Sequence, residues 1–366
     1  MSNEPNRIRE EYVEVDKNMV VNTTIDEPDI KFYDVRRAPF ELYNLYDPVN
    51  QPIFRRLPED VAEATSPGVA RLCRETVGAR VRFSTDSQYI TIKTKQFAMG
   101  RAVHLPFLTN AGFDLYEDTE TDSRFIRPFL PPVGMTDGYE QIIKLGSRKL
   151  RYFTIYFPVH SGVEELLIGL QNDAVVGPGK KYLNEKPIVV YGSSIVHGTG
   201  ATRPGLVYTN LLCRRLNMDV VNLGFSGNAK GEEAIARYMA TLDMDIFVSD
   251  YDHNAPNAEY LRQTHKPLYE IIREKNPDLP YIMISRPNVA TRPKEANERR
   301  DVIIDTYRYA RSIGDRNVYY IDGETFFLGR YENDCTVDGS HPNDLGYALM
   351  ADGIEATIRR VFRDRG

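Results

Sequence analysis

Five short, mostly apolar runs recur about thirty residues apart in the second half of this 366-residue chain. They are Ile188 to Tyr191, Val220 to Leu223, Ile246 to Val248, Ile282 to Ile284 and Val318 to Ile321. A strand with one wet face alternates polar and apolar residues, whereas a continuous apolar run is covered on both faces, as parallel strands are. Between the runs lie stretches with helical spacing, such as Leu261, Leu268, Ile271 and Ile272, or Ile235, Tyr238, Met239 and Leu242. A closing stretch puts Met350, Ile354, Ile358, Val361 and Phe362 on one face. This rhythm predicts an α/β domain with a doubly wound, five-stranded parallel sheet, whose site lies at the carboxyl ends of the strands.

The first half reads differently. Val81-Arg82-Phe83 and Ile90-Thr91-Ile92-Lys93 alternate around an Asp86-Ser87 turn, and Tyr139 to Leu145, Tyr152 to Phe157 and Glu165 to Leu170 read as further strands. Pro106, Pro128, Pro131 and Pro132 suit edges and loops rather than long helices. The expectation is a β-sandwich of jelly-roll type over residues 29–178, after a polar extension at 1–28. The connector from Gly177-Pro178-Gly179 to Lys186 leads into a second domain at 185–366.

A formal net charge of −6 leaves no electrostatic footprint for nucleic acid, so none is expected as a partner. No run approaches the ~18 apolar residues of a spanning helix, so no membrane is expected either. The N-terminus is too polar for a signal peptide. Cys73, Cys213 and Cys335 are odd in number and far apart, which suits buried thiols in a cytoplasmic protein better than disulfides or zinc. A homo-oligomer is compatible with all of this. No cofactor is expected: after Gly198-Thr199-Gly200 the third glycine of a dinucleotide fingerprint is replaced by Arg203. His197, His253 and Asp252 offer ligand atoms, but without a paired-histidine helix motif no metal is expected. His104, His160 and His265 read as surface or core-edge residues, and the charge run Arg292 to Asp301 as a solvated helix face.

The chemistry sits just past the strands. Ser194 follows Ile188 to Tyr191 in a Gly192-Ser193-Ser194 turn, where its hydroxyl would project above the sheet. Asp338 and His341 lie three apart near the C-terminus, so the carboxylate can hold Nδ1 and leave Nε2 for the Ser194 proton. An oxyanion needs donors as well. Ser194 offers its own N–H, Gly227 a backbone N–H after the second strand, and Asn254 a side-chain amide after the third, with Asn257 as fallback. Singly, each is an ordinary turn or cap residue. Their position after successive strands makes the set.

Gly192-Ser193-Ser194-Ile195, Gly224-x-Ser226-Gly227, Asn254 and Asp338-x-x-His341-Pro342 resemble the four ordered blocks of the SGNH (GDSL-type) hydrolases, a flavodoxin-like fold. The resemblance implies Ser194 as nucleophile, His341 and Asp338 as base and orienter, and Ser194, Gly227 and Asn254 as oxyanion donors. Gly112-Phe113-Asp114-Leu115-Tyr116 is similar to the Gly-x-Asp-Leu-Tyr signature of a β-domain attached to a subset of these enzymes. There are departures: Ser193 stands where Asp is common, Val196 where Thr is usual, and the third block lacks its Gly-x-Asn-Asp form. What the resemblance implies is removal of O-acetyl groups from hemicellulose oligosaccharides, manno-oligosaccharides first, with an acetylated oligosaccharide as partner. Acyl transfer to a sugar or natural-product hydroxyl and an inactive sugar-binding scaffold are the alternatives. Asp114, Tyr116 and His197 are the candidates for touching substrate, a buried loop anchor being the competing reading for Asp114 and Tyr116.

Overall fold

The computed structural model describes residues 11–16, 19–100, 105–287, 292–329 and 331–365. Two antiparallel sheets form the first half. One runs Val176–Pro178, Arg80–Thr85, Arg151–Tyr156, Phe113–Asp118, Ser123–Phe129, with Glu41–Tyr43 added on Arg80–Thr85. The other runs Ile30–Asp34, Gly162–Gln171, Tyr89–Phe97, Gly138–Lys144. Their inner faces share one core, in which Val81, Phe83, Phe113, Leu115, Phe153 and Ile155 meet Ile90, Ile92, Leu166 and Ile168. The alternating pattern of the sequence is the inward set of each strand. A further two-stranded hairpin, Glu11–Asp16 with Met19–Thr23, lies within the polar extension.

The second half holds the expected parallel sheet. Strands Ile188–Gly192, Val220–Gly224, Ile246–Asp250, Tyr281–Ile284 and Val318–Ile321 stand in the spatial order second, first, third, fourth, fifth. Because side chains alternate, Ile188 and Val190 face helices Tyr208–Leu216 and Asp344–Arg365, while Val189 and Tyr191 face helices Glu233–Ala240 and Ala258–Lys275. In this order the chain leaves the first strand for its second-strand neighbour on one side and later returns for the third on the other. The helices therefore diverge above the first strand and open a crevice at its carboxyl end.

The two halves share more than a connector. Short helices Glu59–Thr65 and Pro67–Leu72 belong to the first half, yet Leu57, Ala62, Val69 and Leu72 pack in the same cluster as Tyr191, Leu223 and Phe225. The second strand is an edge strand, and the first half covers it. Asn44 accepts the Asn222 N–H at 2.7 Å, as a neighbouring strand would. No helix among the described residues is long and apolar enough to cross a membrane. Cys73, Cys213 and Cys335 are buried thiols.

Candidate active site

Register explains why distant residues meet. Gly192 is level with Gly224 on one side and Asp250 on the other, so three strands end together and their turns stand in a row. Gly192 has to be glycine: a Cβ there would lie 2.1 Å from the Asp250 carbonyl oxygen. The chain then turns into the short helix Ser194–His197, capped by Ser193, whose Oγ accepts the Ile195 N–H at 3.2 Å. Ser194 is thus the first residue of a helix whose opening N–H groups have no intrahelical acceptor. The Tyr347 hydroxyl, from the last helix, donates to the carbonyls of Ile195 at 3.0 Å and Thr199 at 2.8 Å and pins this turn from below.

The loop before that last helix brings the imidazole. An Asp338-Gly339-Ser340-His341 turn, with Gly339 at φ 83°, folds back so that Asp338 Oδ1 accepts the N–H groups of Ser340 at 2.9 Å and His341 at 2.8 Å. Asp338 Oδ2 lies 2.7 Å from His341 Nδ1, and His341 Nε2 lies 2.8 Å from Ser194 Oγ. The Asp338 carboxyl is held down to about 2: partial burial pushes it up, but the N–H and ring of His341 and the N–H of Ser340 outweigh that. An ionised carboxylate on Nδ1 requires the proton there, which leaves Nε2 free to accept from the serine hydroxyl.

The second and third turns are tied to each other by a side-chain hydrogen bond. Gly227 sits at φ 69° with nothing within 4 Å of where a Cβ would stand, so its outer side is open. Asn254 donates one amide hydrogen to the Phe225 carbonyl at 3.0 Å, which fixes the orientation of its amide and leaves its second N–H unused by that bond. A buried arginine braces each turn. Arg56 donates to the carbonyls of Asn222 at 3.1 Å and Gly224 at 2.9 Å, and Arg299 to those of Asp252 and of Ala255, the latter at 2.6 Å. Asn257 is elsewhere engaged, since its Oδ1 caps helix Ala258–Lys275 by accepting the Tyr260 N–H at 2.8 Å.

Two family models cover most of the chain without overlap. The GDSL-like lipase/acylhydrolase family matches residues 185–359, and the GxDLY model, the N-terminus of SGNH-hydrolase-type esterases, matches residues 30–176. Residues 185–359 belong to the GDSL-like lipase/acylhydrolase family. Among solved structures it is similar to a Bacteroides ovatus protein described as a GDSL-like lipase, with 26% identity, TM-score 0.83, and 91% of this chain and 98% of that one covered. The salicylyl-acyltransferase SsfX3 of a tetracycline biosynthetic pathway shares the fold at 18% identity and TM-score 0.75, over 92% and 98% of the two chains. So does the acetyl xylan esterase Est2A of Butyrivibrio proteoclasticus, at 12% identity and TM-score 0.56, over 90% and 98%. Comparison with curated proteins gives no match.

Several expectations need correcting. Asp114 and Tyr116 do not line the crevice. Asp114 is fully buried, 2.8 Å from Arg203 and 2.7 Å from the Gly205 N–H, and the Tyr116 hydroxyl is 2.6 Å from Arg203. They lock the sandwich to the hydrolase half. Burial pushes the Asp114 carboxyl up, and Arg203 and the Gly205 N–H pull it part of the way back. His197 is fully buried, with Nε2 2.9 Å from Glu75, so it cannot touch substrate. It also lies in a different cluster from His253 and Asp252. His160 and His265 are buried rather than peripheral, and His104 lies outside the described residues. Within the charge run, Arg299 is buried and works as the brace just described.

Glu75, His160 and His197 are the one group of three metal-capable side chains found among the described residues, with ligand atoms within 4.8 Å of one another. Their chemistry suits hydrogen bonds better. Ser226 donates its backbone N–H to His197 Nδ1 at 3.4 Å, which puts the ring proton on Nε2, the nitrogen a metal would need bare. Glu75, Arg56 and Arg203 escaped sequence reasoning because each acts across the domain seam, and nothing beside them in the chain marks their partners.

Proposed function

We propose that this protein is a serine esterase that removes O-acetyl groups from hemicellulose-derived oligosaccharides. One observation carries the reading: the unbroken line from Asp338 through His341 to Ser194, with 2.7 Å and 2.8 Å steps, beside two turns that offer N–H donors. In this reading Ser194 Oγ attacks the acetyl carbonyl while its proton passes to His341 Nε2. The tetrahedral oxyanion takes the N–H groups of Ser194 and Gly227 and the free N–H of Asn254. Collapse expels the sugar hydroxylate, which takes the proton back from His341. Water then loses a proton to the same nitrogen, attacks the acetyl-enzyme and releases acetate. Acetylated manno-oligosaccharides, reaching the enzyme in the cytoplasm, are the first substrates to try.

The test is acetate release from acetylated mannan, xylan and xyloglucan fragments by the wild type and by Ser194→Ala. Loss of about 10⁴-fold or more in kcat is expected for the variant, against the roughly 10⁶-fold seen when such a nucleophile is removed. Activity surviving in Ser194→Ala sinks the reading. A second reading, acyl transfer to a sugar or natural-product hydroxyl, is favoured by the higher structural similarity to the salicylyl-acyltransferase than to the acetyl xylan esterase. It uses the same acyl-enzyme, so the ratio of acylated acceptor to free acid in the presence of candidate acceptors separates the two.

A further inference from the structure

The turn that carries Gly227 is open to solvent on one side, so whatever holds it must act from within the protein. The hydrolase half does part of this: a Cβ on Gly224 would lie 2.2 Å from the His197 N, so the start of the turn rests directly on the nucleophile helix. The accessory half does the rest. Arg56 spends donors on the carbonyls of Asn222 and Gly224 while its other nitrogens hold the carbonyls of Glu75 at 2.7 Å and Leu72 at 2.8 Å. Glu75 is thereby tied by its backbone to the same guanidinium.

Its side chain reaches the turn by a second route. A backbone N–H can only donate, so the 3.4 Å contact from Ser226 N makes His197 Nδ1 an acceptor and places the ring proton on Nε2. That proton faces Glu75 Oε2 at 2.9 Å, with the Val159 carbonyl at 3.3 Å as a weaker second acceptor. His160 completes the arrangement, with Nδ1 3.3 Å from Glu75 Oε2 and its ring stacked on His197 at 4.8 Å and 11°. Glu75 Oε1 takes Arg71 at 3.2 Å. Burial holds His197 neutral against the pull of Glu75, in agreement with this tautomer.

We propose that Glu75, acting through His197, is a positioning residue that holds the Ser226-Gly227 turn and so sets where the Gly227 N–H points. The accessory half then controls the competence of a site to which it contributes no reacting atom. The inference rests on the reading of Ser194 as the acylated nucleophile and of Gly227 as an oxyanion donor.

Four variants of the full chain test it, assayed on p-nitrophenyl acetate beside Ser194→Ala. His197→Phe keeps a ring but removes the acceptor for Ser226, and His197→Asn restores an acceptor near the Nδ1 position. Glu75→Leu frees the Nε2 proton, and Glu75→Gln keeps an oxygen to receive it. The Phe and Leu variants are expected to lose between about 10- and 100-fold in kcat with KM changed less than about twofold, as displacement of a transition-state donor requires. The Asn and Gln variants are expected to recover most of that loss. Independently of turnover, ¹⁵N-histidine spectra of the wild type, with His197 assigned by its absence from His197→Asn, are expected to show a bare Nδ1 and a protonated Nε2. Full-speed turnover in folded His197→Phe and Glu75→Leu, or a protonated Nδ1, overturns the inference. Where those two variants fail to fold, the spectra and the Asn and Gln rescue decide. Residual activity in Ser194→Ala strikes instead at the nucleophile reading, so the two failures are told apart.

Discussion

Two pairs in the molecule, each a carboxylate holding an imidazole, are used in opposite ways. Asp338 and His341 are three residues apart in one exposed turn, while Glu75 and His197 come from different halves of the chain and are sealed from water. In both, one ring nitrogen faces the carboxylate. The difference lies at the other nitrogen. His341 Nε2 faces a hydroxyl, which can give up a proton, and its ring is partly exposed. His197 Nδ1 faces a backbone amide, which cannot. The role of a histidine is decided less by its carboxylate than by what the second nitrogen meets.

The sharpest way to break this comparison is Asp338→Asn. An amide can hold the wrong tautomer of His341, so kcat is expected to fall by about 10³–10⁴-fold while the protein stays folded and melts normally. Turnover near wild type in that variant would mean that the exposed pair does no more than the buried one. Next comes the lock that couples the halves. Arg203→Ala leaves Asp114 buried and unpaired, with an expected loss of about 3–5 kcal/mol in denaturant unfolding and little change in KM. A large rise in KM with unchanged stability would return Asp114 to the substrate crevice. Asn254→Ala is expected to cost about 10²–10³-fold in kcat for loss of one oxyanion donor, read from initial rates at saturating ester.

The smallest effect concerns pH. His197 is held down to about 4 by burial, against about 6.5 when unfolded, so the unfolded chain takes up a proton first as pH falls. Stability that is present above pH 6.5 is therefore lost between pH 6.5 and 4, by at most about 1.4 kcal/mol per pH unit. His197→Asn is expected to flatten that slope in denaturant midpoints. Asp338, held to about 2, acts lower: its contribution is intact above about pH 4 and fades below it, so Asp338→Asn should leave the pH 4–6.5 slope untouched. Asp250, pushed up to about 7 by burial and by Asp252, gives an opposite slope over pH 4–7, but it is common to all these proteins and cancels in the differences.

Local chemistry was legible. The five apolar runs became the five parallel strands, because an all-apolar segment has nowhere to go but between two layers. Ser194 and the Asp338–His341 turn were readable as groups whose partners lie within a few residues or at a strand end. Asp114 and Tyr116 stood out by their motif with two readings open, substrate contact or buried anchor, and burial decides for the anchor: a motif carries residue types, not what they face. His197 misled, since a residue three past Ser194 on a short helix can point to crevice or core, and only packing decides.

The sequence alone thus determined periodicity, strand ends, the small-residue turn and the carboxylate three before an imidazole, all properties of short stretches of chain. The tertiary structure alone decided that the sandwich half covers the edge strand of the sheet. That contact brings Arg56, Glu75 and Arg203 against backbone and side chains between 87 and 168 residues away. Burying a guanidinium or a carboxylate is unfavourable unless its partners are supplied, and here the partners come from the other half of the molecule.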